Sequence, residues 1–171
     1  MKSAQSVDKD FLGIIYLFDR RLESTCVRQT VEHGPRSAVY WIKGWLMEIN
    51  DPQVHEELCR QFDRYEQALL DNDVTVLNEF FWDSEFTVRY GIGENHYGYA
   101  DIAEYRRNLP PQDMTRIVSK SVITTYGQDA ATTNIEFIRA GRTGRQSQVW
   151  MRMPEGWRIV AAHVSFVSGT G

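Results

Sequence analysis

Trp82-Asp83-Ser84-Glu85-Phe86-Thr87-Val88-Arg89-Tyr90-Gly91-Ile92-Gly93-Glu94-Asn95-His96-Tyr97-Gly98 is the stretch whose reading decides the fold. Its first half alternates as a strand does, sending Phe86, Val88 and Tyr90 to one face and Thr87 and Arg89 to the other. The glycines that follow predict a tight turn, and a helix is expected over 99–109, stopped by Pro110-Pro111. An arginine in mid-strand has three readings: solvated at an edge, engaged in a structural ion pair, or aimed at an anion in a pocket. The face opposite Arg89 is apolar, which makes that face the expected core layer. In an open, cone-like sheet the Arg89 face can still be a cavity wall.

Upstream the signal is helical. Asp51 is placed to cap and Pro52 to occupy the first helical position. Val54, Leu58, Phe62, Tyr65 and Leu69 then fall at steps of four, four, three and four, which is one buried stripe. This helix should end near Asp71-Asn72-Asp73. A short second helix is expected over 74–81, with Val76, Leu77, Phe80 and Phe81 inward. Downstream, four β-rich runs at 115–126, 130–139, 145–153 and 157–167 are separated by turn residues and form an antiparallel meander. Helix, helix, strand, helix and four strands fit an α+β fold in which a curved sheet wraps over helices and leaves a deep pocket between them.

The 171 residues suit one domain with a sizeable core, and the net charge of −4 gives no general attraction to nucleic acid or an anionic membrane. Residues 1–46 carry seven Lys/Arg and five Asp/Glu, a net of +2, while the remainder is net −6. They are read either as an extension upstream of a usual start at Met47 or as an arm that packs on the domain or a partner. Residues 11–18 and 40–46 are expected to be helical or irregular, and the tail 168–171 frayed. The apolar run at 11–18 is too short for a bilayer, and Asp8 and Asp10 spoil a secretory leader. Cys26 and Cys59 make no disulfide framework and no metal spacing, which is consistent with a reducing compartment, and a cytoplasmic setting is the default expectation.

Several side chains could carry chemistry. Tyr65, on the buried stripe, is a core tyrosine or a phenol aimed into the cavity. His163 and Ser165 are expected to share a face of the last strand with Trp157, Ile159 and Ala161, either as satisfied core groups or as a pocket pair. Gln148 and Trp150 alternate on the neighbouring strand, within the unusually polar run Gly144-Arg145-Gln146-Ser147-Gln148. Other chemistries lack their motifs. Gly91-Ile92-Gly93 has no third glycine in register for a dinucleotide loop. His33, His55, His96 and His163 show no metal-ligand spacing, there is no nucleophile elbow, and no aromatic platform is interleaved with basic residues.

Residues 47–167 resemble the AtzH-like group of the NTF2-like superfamily, which includes the oxalurate catabolism protein HpxZ. The resemblance rests on Glu48-Ile49-Asn50-Asp51-Pro52, Phe62-x-x-Tyr65, Phe80-Phe81-Trp82, Arg89-Tyr90-Gly91-x-Gly93-Glu94, Gly144-Arg145-Gln146-Ser147-Gln148-x-Trp150 and Ala162-His163-Val164-Ser165. It implies an α+β NTF2-like (SnoaL-like) cone, usually dimeric through its sheet. It also implies chemistry on small carboxylated ureides, as in conversion of 1,3-dicarboxyurea to allophanate, in partnership with amidases of oxalurate or cyanurate breakdown. A tyrosine on the first helix and an arginine on the first strand are the implicated groups, and they match Tyr65 and Arg89. Gln148, Trp150, His163 and Ser165 would then orient a planar substrate, with no cofactor or metal expected. The same resemblance allows a non-catalytic ureide binder or an accessory protein of an amidase. A ketosteroid-isomerase-like proton shuttle would need a carboxylate beside Tyr65, for which Asp83 and Glu85 are the nearest in sequence.

Overall fold

The computed structural model describes residues 38–42 and 45–167. The run at 11–18, Cys26, His33 and the tail 168–171 lie outside the described residues. The elements are β1 (Ala38–Ile42), β2 (Trp45–Ile49), α1 (Pro52–Leu70), α2 (Val74–Glu79), β3 (Val88–Tyr90), β4 (Asn95–Tyr97), α3 (Tyr99–Asn108), β5 (Ile117–Tyr126), β6 (Ala130–Arg139), β7 (Arg142–Met153) and β8 (Gly156–Phe166). They form one sheet in the order β1-β2-β5-β6-β7-β8-β3-β4, with the helices against one face. All neighbours are antiparallel except β3 and β8. The expected α+β architecture of a curved sheet over helices is what the chain adopts.

α1 starts where the sequence says it should. The Asp51 carboxylate accepts from the backbone N–H groups of Gln53 and Val54 at 3.0 and 3.1 Å, and Pro52 occupies the first turn. Val54, Leu58, Phe62 and Tyr65 are buried on its inner stripe, with Leu69 half-buried beside them. Leu58 and Phe62 are fully enclosed, and burial of each side chain contributes about 2 kcal/mol. The left-handed backbone at Asn72 (φ 53°) ends the helix, and its amide donates to the Gln112 carbonyl at 2.8 Å.

Three expectations need correction. Residues 40–46, expected to be helical or irregular, belong to the β1–β2 hairpin wherever they are described, and β2 runs across the 46/47 boundary. Ile49 of β2 faces Tyr126 of β5, and Asn50, in the left-handed region (φ 56°), takes up both backbone groups of Thr125. The strand expected to begin near Trp82 begins at Val88. The preceding residues form a loop in which the Thr87 hydroxyl donates to the Trp82 carbonyl at 2.7 Å. The face expected to be core is also the wrong one: Phe86 is 74% exposed and Thr87 is fully buried. Arg89 is therefore on the inner face.

Two bulges set which side chains face inward. On β5, Val118 faces Phe137 and Lys120 faces Glu136, so Ser119 is the extra residue. On β8, Trp150 faces Ile159 and Val149 faces Ala161, so Val160 is extra. An extra residue reverses the two-residue alternation beyond it and bends the strand. Trp157 and Ile159 point inward before the bulge and Ala162 after it, which turns His163 outward.

Candidate functional site

Between α1, the start of α2, α3 and the inner sheet face lies a cavity of about 320 Å³. α1 contributes Tyr65 and Leu69, and α3 contributes Tyr105 and Arg106. β3 brings Arg89, and the turn after it brings Ile92 and Glu94. The segment Pro110-Pro111-Gln112 and Met114 form the rim, while Arg116, Phe137, Arg139, Gln146, Ala162 and Val164 come from the sheet side. Among the described residues, four arginines and one glutamate make the lining cationic, unlike the chain as a whole.

Tyr65 is clamped by rings. Phe62 stacks at 6.5 Å between centroids, and Phe80 and Trp150 meet it edge-on at 5.9 and 6.3 Å. Arg89 sits on β3 opposite Ala162 of β8 and donates to Glu94 at 3.0 Å, with its guanidinium 5.4 Å from the Tyr105 ring centre. Burial pushes the Glu94 carboxyl up, but the Arg89 hydrogen bond, the Gly93 N–H and the Arg89 charge hold it below its ordinary range. Burial, and then Glu94, keep the Tyr105 phenol above its ordinary value.

Arg106 is nearly enclosed. It donates to the Leu77 carbonyl and to Asn78 at 3.2 and 3.0 Å and lies 4.2 Å over Phe81. Burial pushes it down to about 10, with the nearby Arg89 charge working in the same direction and the Tyr65 phenol opposing. Two guanidiniums that oppose each other's charge, with one carboxylate paired to Arg89, make this end of the cavity a place for an anion. On the sheet side, Arg116 grips both carboxylate oxygens of buried Glu66 and donates to Gln146 Oε1 at 3.2 Å.

Of the six residues singled out in the sequence, the cavity brings together Tyr65 and Arg89. Gln148 and Trp150 lie on the same inner face, deeper in the core. There Gln148 accepts from the Thr133 hydroxyl at 2.8 Å, and that hydroxyl accepts from Trp150 Nε1 at 3.2 Å. His163 and Ser165 do not share the inner face with Trp157 and Ile159. The Val160 bulge turns them to the outer face, where His163 meets the Tyr90 ring edge-on at 6.1 Å. Asp83 and Glu85 are exposed and outside the cavity lining. Sequence reasoning missed Glu94, Tyr105, Arg106, Arg116 and Gln146. Arg106 had a signal, since it stands four residues after Ile102 on the buried side of α3. Gln146 had one too, two residues before Gln148 on the same face.

Helices seated in a curved, unclosed sheet around one cavity define the NTF2-like class of small-molecule pocket proteins, and solved structures agree. A protein of unknown function from Pectobacterium atrosepticum is 51% identical, over 70% of this chain and 95% of its own, with a TM-score of 0.68. A cystatin-like fold protein from Burkholderia xenovorans is 40% identical, over 72% of this chain and 98% of its own, with a TM-score of 0.69. An NTF2-like superfamily protein from Salmonella enterica serovar Typhimurium is 27% identical, over 70% and 94%, at 0.58. No curated protein matches the chain. Within that class the chain belongs to the AtzH-like family, whose model matches residues 47–170.

Among the described residues no group of His, Cys, Asp and Glu side chains could hold a metal ion, and no helix is long and apolar enough to cross a membrane.

Proposed function

We propose that the protein is a cytoplasmic pocket enzyme of ureide nitrogen catabolism, acting as an amidohydrolase or decarboxylase on a small carboxylated urea. Conversion of the 1,3-dicarboxyurea-to-allophanate type and an oxalurate-related, HpxZ-like reaction are the two forms it could take. The observation that carries this reading is the cationic end of the cavity, where Arg89 and Arg106 line the same space as Tyr65. Arg89 holds the substrate carboxylate while sharing one nitrogen with Glu94. On the N-carboxylated form, Tyr65 gives its proton to the ureido nitrogen as the N–CO2 bond breaks, releasing CO2 and leaving the urea N–H, and solvent reprotonates the phenolate. Among the described residues the lining contains tyrosine, arginine and glutamine but no serine, cysteine or histidine, which favours proton transfer and charge stabilisation over a covalent acyl intermediate.

The test is release of CO2 and ammonia from freshly made 1,3-dicarboxyurea and from oxalurate by wild type, Tyr65→Phe and Arg89→Ala. Loss of about a hundredfold or more in kcat for Tyr65→Phe, with folding intact, is expected for a positioned acid. Arg89→Lys should lower kcat/KM by about tenfold or more, because a forked donor becomes a point charge. An inactive wild type that still binds these anions would favour the second reading, a ureide-binding or accessory protein of an amidase. That reading is supported by the salt bridge that already occupies Arg89.

A further inference from the structure

We propose that Arg139 is a second anion-binding residue of the cavity. At the mouth it takes the carboxylate that the substrate keeps, while the Arg89 end takes the one that leaves. This rests on the carboxylated-urea reading above and deepens it, because it assigns the far end of the substrate to a named residue.

The charge balance of the lining carries the argument. Of the four lining arginines, Arg89 is paired with Glu94 and Arg116 with buried Glu66. Arg106 donates to the Leu77 carbonyl and to Asn78, and Arg139 donates to the Asp113 carbonyl at 2.7 Å. The ion pairs among the described residues include neither of these two. The Asp113 side chain feels the Arg139 charge, but it is exposed and already accepts from the Thr115 N–H at 2.9 Å. Arg142, opposite Arg139 on β7, lies over the Phe166 ring and adds positive charge.

The two unmatched guanidiniums belong to different ends of the cavity. Arg106 shares its end with Arg89, whose charge opposes its own. Arg89 is in register, through Ala162 and Gln148, with Thr133 in the first half of β6. Arg139 is the last residue of that strand, half-buried, and continues the inner face of Ile135 and Phe137. Its hydrogen bond to Asp113 falls between the rim residues Gln112 and Met114. The guanidinium thus stands at the mouth, and one bond to a carbonyl leaves its other N–H groups for a ligand. A partly desolvated cation matched only by a neutral oxygen gains by taking an anion. A ligand with one carboxylate satisfies the inner end and leaves Arg139 unmatched, whereas a second carboxylate matches both.

Glutarate and its monoamide, glutaramate, test this. They share one carbon skeleton, matched in length to 1,3-dicarboxyurea, and differ in whether the second end is charged. By titration calorimetry at neutral pH and low salt, wild type should bind glutarate about tenfold or more tightly than glutaramate. Arg139→Gln should remove most of that difference by weakening glutarate, and Arg139→Glu should invert it. Thermal melts establish that both variants are folded. Equal affinities in wild type, an unchanged preference in either folded variant, or equal weakening of both probes would overturn the proposal while the anion site stands. If wild type binds neither probe, or Arg89→Ala leaves both affinities unchanged, the anion-site reading fails and this inference falls with it.

Discussion

Arg89 answers to two readings at once, because it is both ion-paired to Glu94 and part of a cavity wall. The pair has a measurable signature. The folded-state pKa of Glu94 lies below its ordinary value, so the stability it contributes is complete above the unfolded value, about 4.3, and is lost as pH falls through the folded value. Glu57, held down by its hydrogen bond from Arg152, has the same sign. Urea midpoints followed from pH 7 down to pH 3 should therefore fall in acid, and Glu94→Gln should flatten part of that fall. A variant curve parallel to wild type throughout would mean that the pair does not couple to folding. Gly91 protects the same contact, since a Cβ there would lie 1.8 Å from Glu94 Oε1 and push the carboxylate aside.

At the scale of elements, Gly144 shows how closely strand and cavity wall are fitted. A Cβ on Gly144 would meet Phe137 Cζ at 2.3 Å, and the Phe137 ring lies 4.8 Å under the Arg116 guanidinium. Gly144→Ala should cost about 1–3 kcal/mol in urea unfolding and should weaken ligand binding as the ring presses on Arg116. Wild-type stability in that variant would show that the ring has room to move. Local signals carried most of the element map: the Asp51-Pro52 cap, the four-four-three-four stripe of α1 and the strands from β5 to β8 were all legible in the residues. Strand faces were less so. His163 and Ser165 were assigned by counting in twos from Trp157, and counting fails across the extra residue at Val160. Arg116 is even-numbered like the outward Lys120 and Val122, yet it points inward because Ser119 intervenes. Such a bulge depends on the partner strand, so one strand's own alternation does not announce it. β3 failed for a different reason. The alternation expected there takes in Phe86, which lies in the loop before β3 and is exposed, yet pattern alone reads it as core.

For the whole molecule, the outer sheet face is the unsettled surface. Val122, Val149, Tyr90 and Tyr97 are exposed there, with polar Asn134 and Ser147 between them. We propose that a second copy covers this face in a homodimer, as the dimeric habit of NTF2-like folds suggests. Light scattering at micromolar concentration should give twice the chain mass, and Val149→Lys should shift it toward the monomer. A wild-type monomer would remove the dimer from the functional reading. The bulges also bear on how relatives are compared. An inserted or deleted residue at Ser119 or Val160 would exchange inside for outside along the rest of that strand while leaving nearly every amino acid in place. Two members of this family could thus share the same letters and present different chemistry to their ligands, and aligned identity would miss the change that strand phase records.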